Sequence, residues 1–233
     1  MSGIGSWFCS GRWCLGCNEY ILSEVPLPAP SLCPECHDKL PWFKRELCFF
    51  CGHHHNHGDC DQSLSRKIEE YRAIFYYQEP VNQWISSLKY SRNLLKGRTL
   101  KELVTQWFVE NALWIEDFDV LVPVPLHSGR LWNRGFNQTS YLIRDQQMIE
   151  VNEKLVRKVK RTKHQAALSG KHRFSNLKRS FQADPSVKGL DILLFDDVCT
   201  TGQTLDQMAV SLKKAGAGRI SAVSVARTQS PWG

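Results

Sequence analysis

No apolar run in this sequence of 233 residues approaches the ~20 that a membrane-spanning helix needs. The opening residues also lack the basic stretch, apolar core and small-residue site of a secretory signal. The chain therefore reads as a soluble, cytoplasmic protein. A Gly-x-x-x-x-Gly-Lys-Ser/Thr loop is absent, as is a Gly-x-Gly-x-x-Gly at a strand-to-helix turn, which argues against a P-loop nucleotidase or a dinucleotide binder. With no evident helix-turn-helix, a regulator that reads duplex sequence ranks last. Cysteine is scarce beyond residue 60, where Cys199 stands alone, and acidic residues are missing altogether from residues 154–181.

What is present is distributed just as unevenly. Residues 154–181 hold ten Lys or Arg, so the net charge of +7 belongs to that segment; the remainder carries 20 basic against 23 acidic residues. Eight of the nine cysteines fall between Cys9 and Cys60. In a reducing compartment such clustering points to metal ligation and not to a disulfide framework. Cys14-x-x-Cys17, Cys33-x-x-Cys36 and Cys48-x-x-Cys51 are knuckle pairs, and His57-x-x-Cys60 keeps the spacing with His in place of Cys. Two intervening residues let one turn present both ligands to a single ion, and zinc takes four S or N ligands tetrahedrally. Eight ligands make two structural zinc sites. Sequential use is favoured, with Cys14, Cys17, Cys33 and Cys36 in one and Cys48, Cys51, His57 and Cys60 in the other. A crossed pairing is the close alternative, and His53, His54 or His55 can replace His57. Cys9 is left over as a free thiol.

The length suits one α/β domain of about 150–170 residues with a small appendage. Residues 1–65, rich in Cys, His, Gly and Pro without a sustained period, read as a zinc-binding module; residues 66–233 read as the main domain. Residues 71–77 favour a strand. Residues 80–90 and 100–115 carry helical spacing, as do residues 141–149. Residues 119–124, 192–195 and 220–225 are near-continuous apolar runs, expected of strands buried on both faces. Leu205, Met208, Ala209 and Leu212 form an i, i+3, i+4, i+7 stripe ended by Gly216 and Gly218. Alternating β and α of this kind predicts a Rossmann-like parallel sheet with its ligand at the carboxyl ends of the strands.

The most informative segment is Leu193-Leu194-Phe195-Asp196-Asp197-Val198-Cys199-Thr200-Thr201-Gly202-Gln203-Thr204-Leu205. Open N–H groups at a helix start, with the positive end of its dipole, favour a phosphate. Gly202 permits close backbone approach, and Thr200, Thr201 and Thr204 add hydroxyl donors beside Gln203. Ionised Asp196 and Asp197 only accept hydrogen bonds, so they suit sugar hydroxyls or hydrated Mg²⁺. A ligand with a phosphate at one end and a diol beside it fits. The segment resembles the phosphoribosyl-pyrophosphate (PRPP) motif of type I phosphoribosyltransferases. Cys199 departs from the usual aliphatic residue and reads as packing, not as a nucleophile.

Other motifs extend the likeness. Val122-Pro123-Val124-Pro125-Leu126-His127, Arg130, Arg134-Gly135-Phe136-Asn137-Gln138, Arg161-Thr162, Gln165, Leu168, Arg173 and Asn176 precede the acidic loop; Leu88-Lys89-Tyr90 and the four N-terminal pairs come before them. In order and spacing, across nearly the whole chain, these resemble the competence protein F family. That resemblance implies a cytoplasmic factor of natural transformation that handles incoming single-stranded DNA beside other uptake proteins such as a translocating helicase. It also implies a type I phosphoribosyltransferase-like fold binding PRPP with magnesium. In related transferases the loop after the first core strand holds pyrophosphate, which places Arg130 and Arg134 there, with Lys89 a further candidate.

Two functional readings compete for the basic segment. As a hood it would close Arg157, Arg161 and Lys163 over pyrophosphate; as a track it would offer Arg157, Lys158, Arg161, Lys163 and Arg173 to a nucleic-acid backbone, with only Phe174 and Phe181 to stack on bases. The bland reading is a solvated positive face. Three functions follow: a DNA-uptake factor that binds PRPP; an active transferase, with Asp196 and Asp197 catalytic, acting on a nucleobase or nucleotide acceptor; and a PRPP-gated DNA-binding regulator.

Overall fold

The structure is a computed structural model that describes residues 12–21, 31–43, 67–90, 93–126, 132, 135–159 and 180–228. Its centre is a four-stranded sheet: β3 (Tyr71–Tyr76), β4 (Val120–Pro123), β7 (Ile192–Cys199) and β8 (Ile220–Arg227). The order is β3-β8-β7-β4 and every pairing is parallel. The apolar runs therefore do what their continuity predicts. Leu121, Leu193, Phe195 and Val223 pack into one apolar layer, while Val120, Val122, Ile192, Leu194 and Ala222 pack into the other. Alternation along each strand sends successive side chains to opposite faces, so both need helical cover.

Helices α2 (Val81–Tyr90) and α3 (Leu94–Glu110), with the short α4 (Ala112–Ile115), cover the first face. The second is covered by α6 (Gln203–Lys214), whose Leu205, Met208, Ala209 and Leu212 are fully buried. Each of its three larger side chains contributes roughly 2 kcal/mol by leaving water. The turn that follows ends at Gly216, φ +92°.

Two helices differ from expectation. The one expected at residues 100–115 begins at Leu94, where the Asn93 side chain accepts the Lys96 N–H, and is interrupted at Asn111. The one expected at residues 141–149 is instead α5 (Gln138–Leu142), capped by Asn137. Its extension is cut short because Gln146 folds back: its Oε1 accepts the N–H groups of Met148 and Ile149 and its Nε2 donates to the Ile149 carbonyl. That turns the chain into an extended path, and Val151 bridges Leu121 in parallel at the β4 edge.

Two hairpin-like ribbons flank the sheet. β1 (Arg12–Trp13) pairs β2 (Tyr20–Ile21), and β5 (Val156–Lys158) pairs β6 (Phe181–Ala183), both antiparallel. The cysteine-bearing segment, which includes the short α1 (Pro34–Asp38), is seated against the β3 edge. Trp42 bridges Phe75, the Phe43 N–H donates to the Ile74 carbonyl at 2.9 Å and the Tyr76 N–H to the Pro41 carbonyl at 2.7 Å. Cys14, Ile21, Leu32 and Leu40 share the apolar layer of α2 and α3. Among the described residues no helix is long and apolar enough to cross a membrane.

Candidate functional site

β7 runs beyond the expected apolar stretch to Cys199, so Asp196 and Asp197 are strand residues at the carboxyl edge of the sheet. Neighbouring strand positions face opposite ways. Asp197 turns to the α2 side, where Lys89 Nζ donates to its Oδ1 at 2.9 Å, both side chains being mostly buried. Asp196 is buried, and its Oδ1 accepts the Asp197 N–H at 2.8 Å. Burial, reinforced by the charge of Asp197, pushes the Asp196 carboxyl up to about 8; Lys89, that N–H and Lys158 pull the other way. Ionising both acids together is therefore disfavoured.

Gly202 stands at the N-cap of α6 with φ +73°, in the left-handed region that favours glycine, and no side chain caps the helix. Thr200 and Thr201 are exposed before it, and Gln203 and Thr204 begin the helix. This 12-residue helix has no side-chain cap from its N-cap residue and carries Asp206 in its first turn, and its positive end follows the acids in the chain. The loop is braced from β8: the Thr228 N–H donates to the Cys199 carbonyl at 3.1 Å. Arg130 and Arg134 lie outside the described residues.

Beneath the loop is a polar group that sequence reasoning missed. Arg227, at the end of β8, is only 4% exposed, and its Nη1 donates to Cys199 Sγ at 2.8 Å. Its guanidinium also lies 5.6 Å from the Tyr71 ring, whose hydroxyl bonds Ser224 Oγ at 2.5 Å. Burial raises the Cys199 thiol despite the nearby Arg227 charge, which suits an inert packing residue. No local pattern marks an arginine as buried.

Of the basic segment, the described part is the ribbon. Arg157 donates through Nε and Nη2 to Gln182 Oε1 at 3.1 and 2.8 Å, and Lys158 Nζ lies 5.1 Å from the Phe181 ring. Lys158 also acts electrostatically on Asp196, so the ribbon brings a cation to the acidic end of β7. Arg161, Lys163 and Arg173 lie outside the described residues.

At the N-terminal end, one potential ligand atom each from Cys14, Cys17, Cys33 and Cys36 gathers within 4.8 Å of the others. This is the first of the two expected sets. A tetrahedron of ~2.3 Å zinc–sulfur bonds has edges of about 3.8 Å, and Cys17 Sγ and Cys33 Sγ stand 3.9 Å apart. The N–H groups of Gly16 and Cys33 approach Cys14 Sγ at 3.4 and 3.3 Å, and that of Cys36 approaches Cys33 Sγ at 3.4 Å. Burial disfavours the Cys14 thiolate, yet N–H groups of Cys17, Cys33 and Gly16 outweigh it and hold the thiol down to about 6. Cys36 is pushed up by burial and by the neighbouring sulfurs. Four sulfurs so close need a cation to ionise together. A Cβ at Gly16 would meet Cys36 Sγ at 2.7 Å, so a side chain there would displace that cysteine. Cys9, Cys48, Cys51, His57 and Cys60 lie outside the described residues.

Comparison with known proteins agrees with this architecture. The phosphoribosyl transferase domain model matches residues 138–233, which include α5, the ribbon, the acidic loop and β8. Competence protein ComFC of Bacillus subtilis is 25% identical over 92% of this chain and 95% of its own. DNA utilization protein YhgH of Salmonella typhimurium is 28% identical over 85% of each chain. Competence protein F of Haemophilus influenzae is 30% identical over 92% of this chain and 96% of its own. Identity of 30% across nearly the full length of both chains places this chain in the competence protein F family.

Proposed function

We propose that the chain is a cytoplasmic competence factor that handles single-stranded DNA during uptake and binds PRPP with magnesium at the carboxyl edge of its sheet. The carrying observation is that Asp196 and Asp197 lie near the end of a buried parallel strand, with left-handed Gly202, five residues after Asp197, at the N-cap of the helix that follows. In this reading the N–H groups at the start of α6, with Thr200, Thr201, Gln203 and Thr204, hold the 5′-phosphate. Asp196 and Asp197 take the ribose hydroxyls and the hydrated magnesium ion, while Arg130 and Arg134 meet the pyrophosphate. Lys89 positions Asp197. The four N-terminal cysteines hold a structural zinc ion, and Cys48, Cys51, His57 and Cys60 a second. Residues 1–65 form the zinc module and residues 66–233 the transferase-like domain. Arg157, Lys158, Arg161, Lys163 and Arg173 face the nucleic acid, and a translocating helicase is a fitting protein partner.

Calorimetric titration of PRPP and magnesium tests this in the zinc-loaded protein and in an Asp196→Asn, Asp197→Asn variant, each with and without single-stranded DNA. Binding lost in the variant, with a DNA-dependent affinity in the parent, is the expected result. No binding to the parent overturns the PRPP assignment.

An active transferase is the second reading, favoured by the Asp196 carboxyl lying at about 8, near the range where a group exchanges protons readily at neutral pH. A nitrogen of a nucleobase or nucleotide would bond to the anomeric carbon as the carbon–oxygen bond to pyrophosphate breaks. Pyrophosphate release with an acceptor panel decides it.

A further inference from the structure

Arg227 is the last residue of β8, and its backbone is fixed from both sides. In the register of the sheet it stands opposite Cys199, the last residue of β7, and opposite Tyr76 of β3. Its carbonyl accepts the Tyr77 N–H at 2.8 Å. The side chain is held as firmly. Its guanidinium lies 5.6 Å from the centre of the Tyr71 ring and donates through Nη1 to Cys199 Sγ at 2.8 Å. That ring is set in turn by the bond between the Tyr71 hydroxyl and Ser224 Oγ. All four of these residues are buried.

Taking a guanidinium out of water is costly, and a methionine would fill the same layer without that cost. What arginine adds is a fixed donor and a positive charge at the point where β7 turns into the loop. Cys199 immediately precedes Thr200, the first residue of that loop. The next residue of the β8 segment holds the same corner: the Thr228 N–H donates to the Cys199 carbonyl at 3.1 Å, and Thr228 Oγ1 to the Thr200 carbonyl at 3.5 Å. Side chain and backbone therefore close on one place in the chain.

We propose that Arg227 is a positioning residue for the 5′-phosphate end of the ligand. It holds Cys199 and Thr200 in place, so that the loop and the start of α6 are ordered before the phosphate arrives, and its buried charge adds to the positive end of that helix. The inference rests on the PRPP reading and deepens it. It concerns the 5′-phosphate alone, because that reading gives the pyrophosphate to Arg130 and Arg134.

The test titrates PRPP, ribose 5-phosphate and inorganic pyrophosphate, each with magnesium, into the zinc-loaded full chain and its variants by calorimetry. Arg227→Met keeps the apolar stem and removes the planar fork and the charge. Ribose 5-phosphate should then bind about tenfold more weakly, and pyrophosphate as in the parent. Arg227→Lys, which keeps the charge, should recover part of the loss. Cys199→Val removes the sulfur acceptor at nearly constant volume; it should weaken ribose 5-phosphate about threefold, and it decides the question if Arg227→Met does not fold. Hydrogen exchange of the amides of residues 200–204 in ligand-free protein should quicken in both variants, while residues 193–195 keep their rates. Equal losses for ribose 5-phosphate and pyrophosphate, or parent-like ribose 5-phosphate binding with unchanged exchange, overturn the positioning role and leave the PRPP reading standing. A parent that binds neither PRPP nor ribose 5-phosphate removes the PRPP reading, and the role of Arg227 in it.

Discussion

Lys89 Nζ and Asp197 Oδ1 meet at 2.9 Å across the junction of α2 and β7, tying the first helix behind the β3 edge to the acidic end of the central strand. Both groups are largely shielded from water, so the contact is a charged hydrogen bond with consequences for stability. Lys89→Met should cost about 2 kcal/mol, and the Asp197→Asn, Lys89→Met double variant should recover part of it. Urea unfolding of the four members of that cycle measures the coupling; additive losses would show that the pair is not coupled.

Asp196 has the opposite relation to its surroundings. Its carboxyl is raised to about 8 in the folded chain, against an ordinary value of about 3.9 when unfolded. Between those values the native state holds a proton that the unfolded state has released, so stability falls as pH rises through the window. Asp196→Asn should therefore raise Tm by ~5 °C at pH 8.5, with the gain vanishing near pH 4. Thermal scans at the two pH values check this. An equal gain at both would mean that the proton is not the cause.

Gly202 carries the loop at φ +73°. Gly202→Ala should cost about 1–2 kcal/mol of backbone strain and abolish PRPP binding while β7 and α6 persist. Chemical denaturation and calorimetry on the same variant separate the two effects.

The sulfur cluster should respond to metal removal more widely than its size suggests, because the segment bearing it is paired to β3. Chelation should lower Tm and change tryptophan emission, as Trp42 leaves the Phe75 ring 4.6 Å away. Gly16→Ala should weaken zinc binding by about 10–100-fold, since the added methyl crowds Cys36 Sγ and disturbs the Gly16 N–H that supports Cys14. Competition with a zinc-sensitive dye gives the affinity directly.

The strands buried on both faces were legible because Val120 to Val122 and Ile192 to Phe195 have no polar side to misread. The α6 stripe was legible for the complementary reason, a polar face around four buried positions. The start of α3 was not, because Lys96 and Arg98 interrupt the apolar pattern while the local Asn93 cap carries the signal. α5 was misjudged because the Gln146 side chain, a single local competitor for backbone groups, ends what the spacing of Tyr141, Leu142 and Ile149 suggested. Asp196, Asp197 and Gly202 were found as a motif, yet that Lys89 would reach one acid and Lys158 influence the other depends on pairings far apart in the chain. Burial of Arg227 is of the same non-local kind.

The strand order β3-β8-β7-β4 has a bearing on how the protein is made. β3 emerges early from the ribosome, but its neighbour β8 is translated after every other described element. Until then β3 and the cysteine segment seated on it have no sheet to join, and β8 enters as a keystone between halves made long before. Loss of the chain from Ile220 onwards would remove the middle of the sheet and not its margin. A nascent chain arrested there should remain open to chaperones and proteases, and productive folding should wait for the last strand.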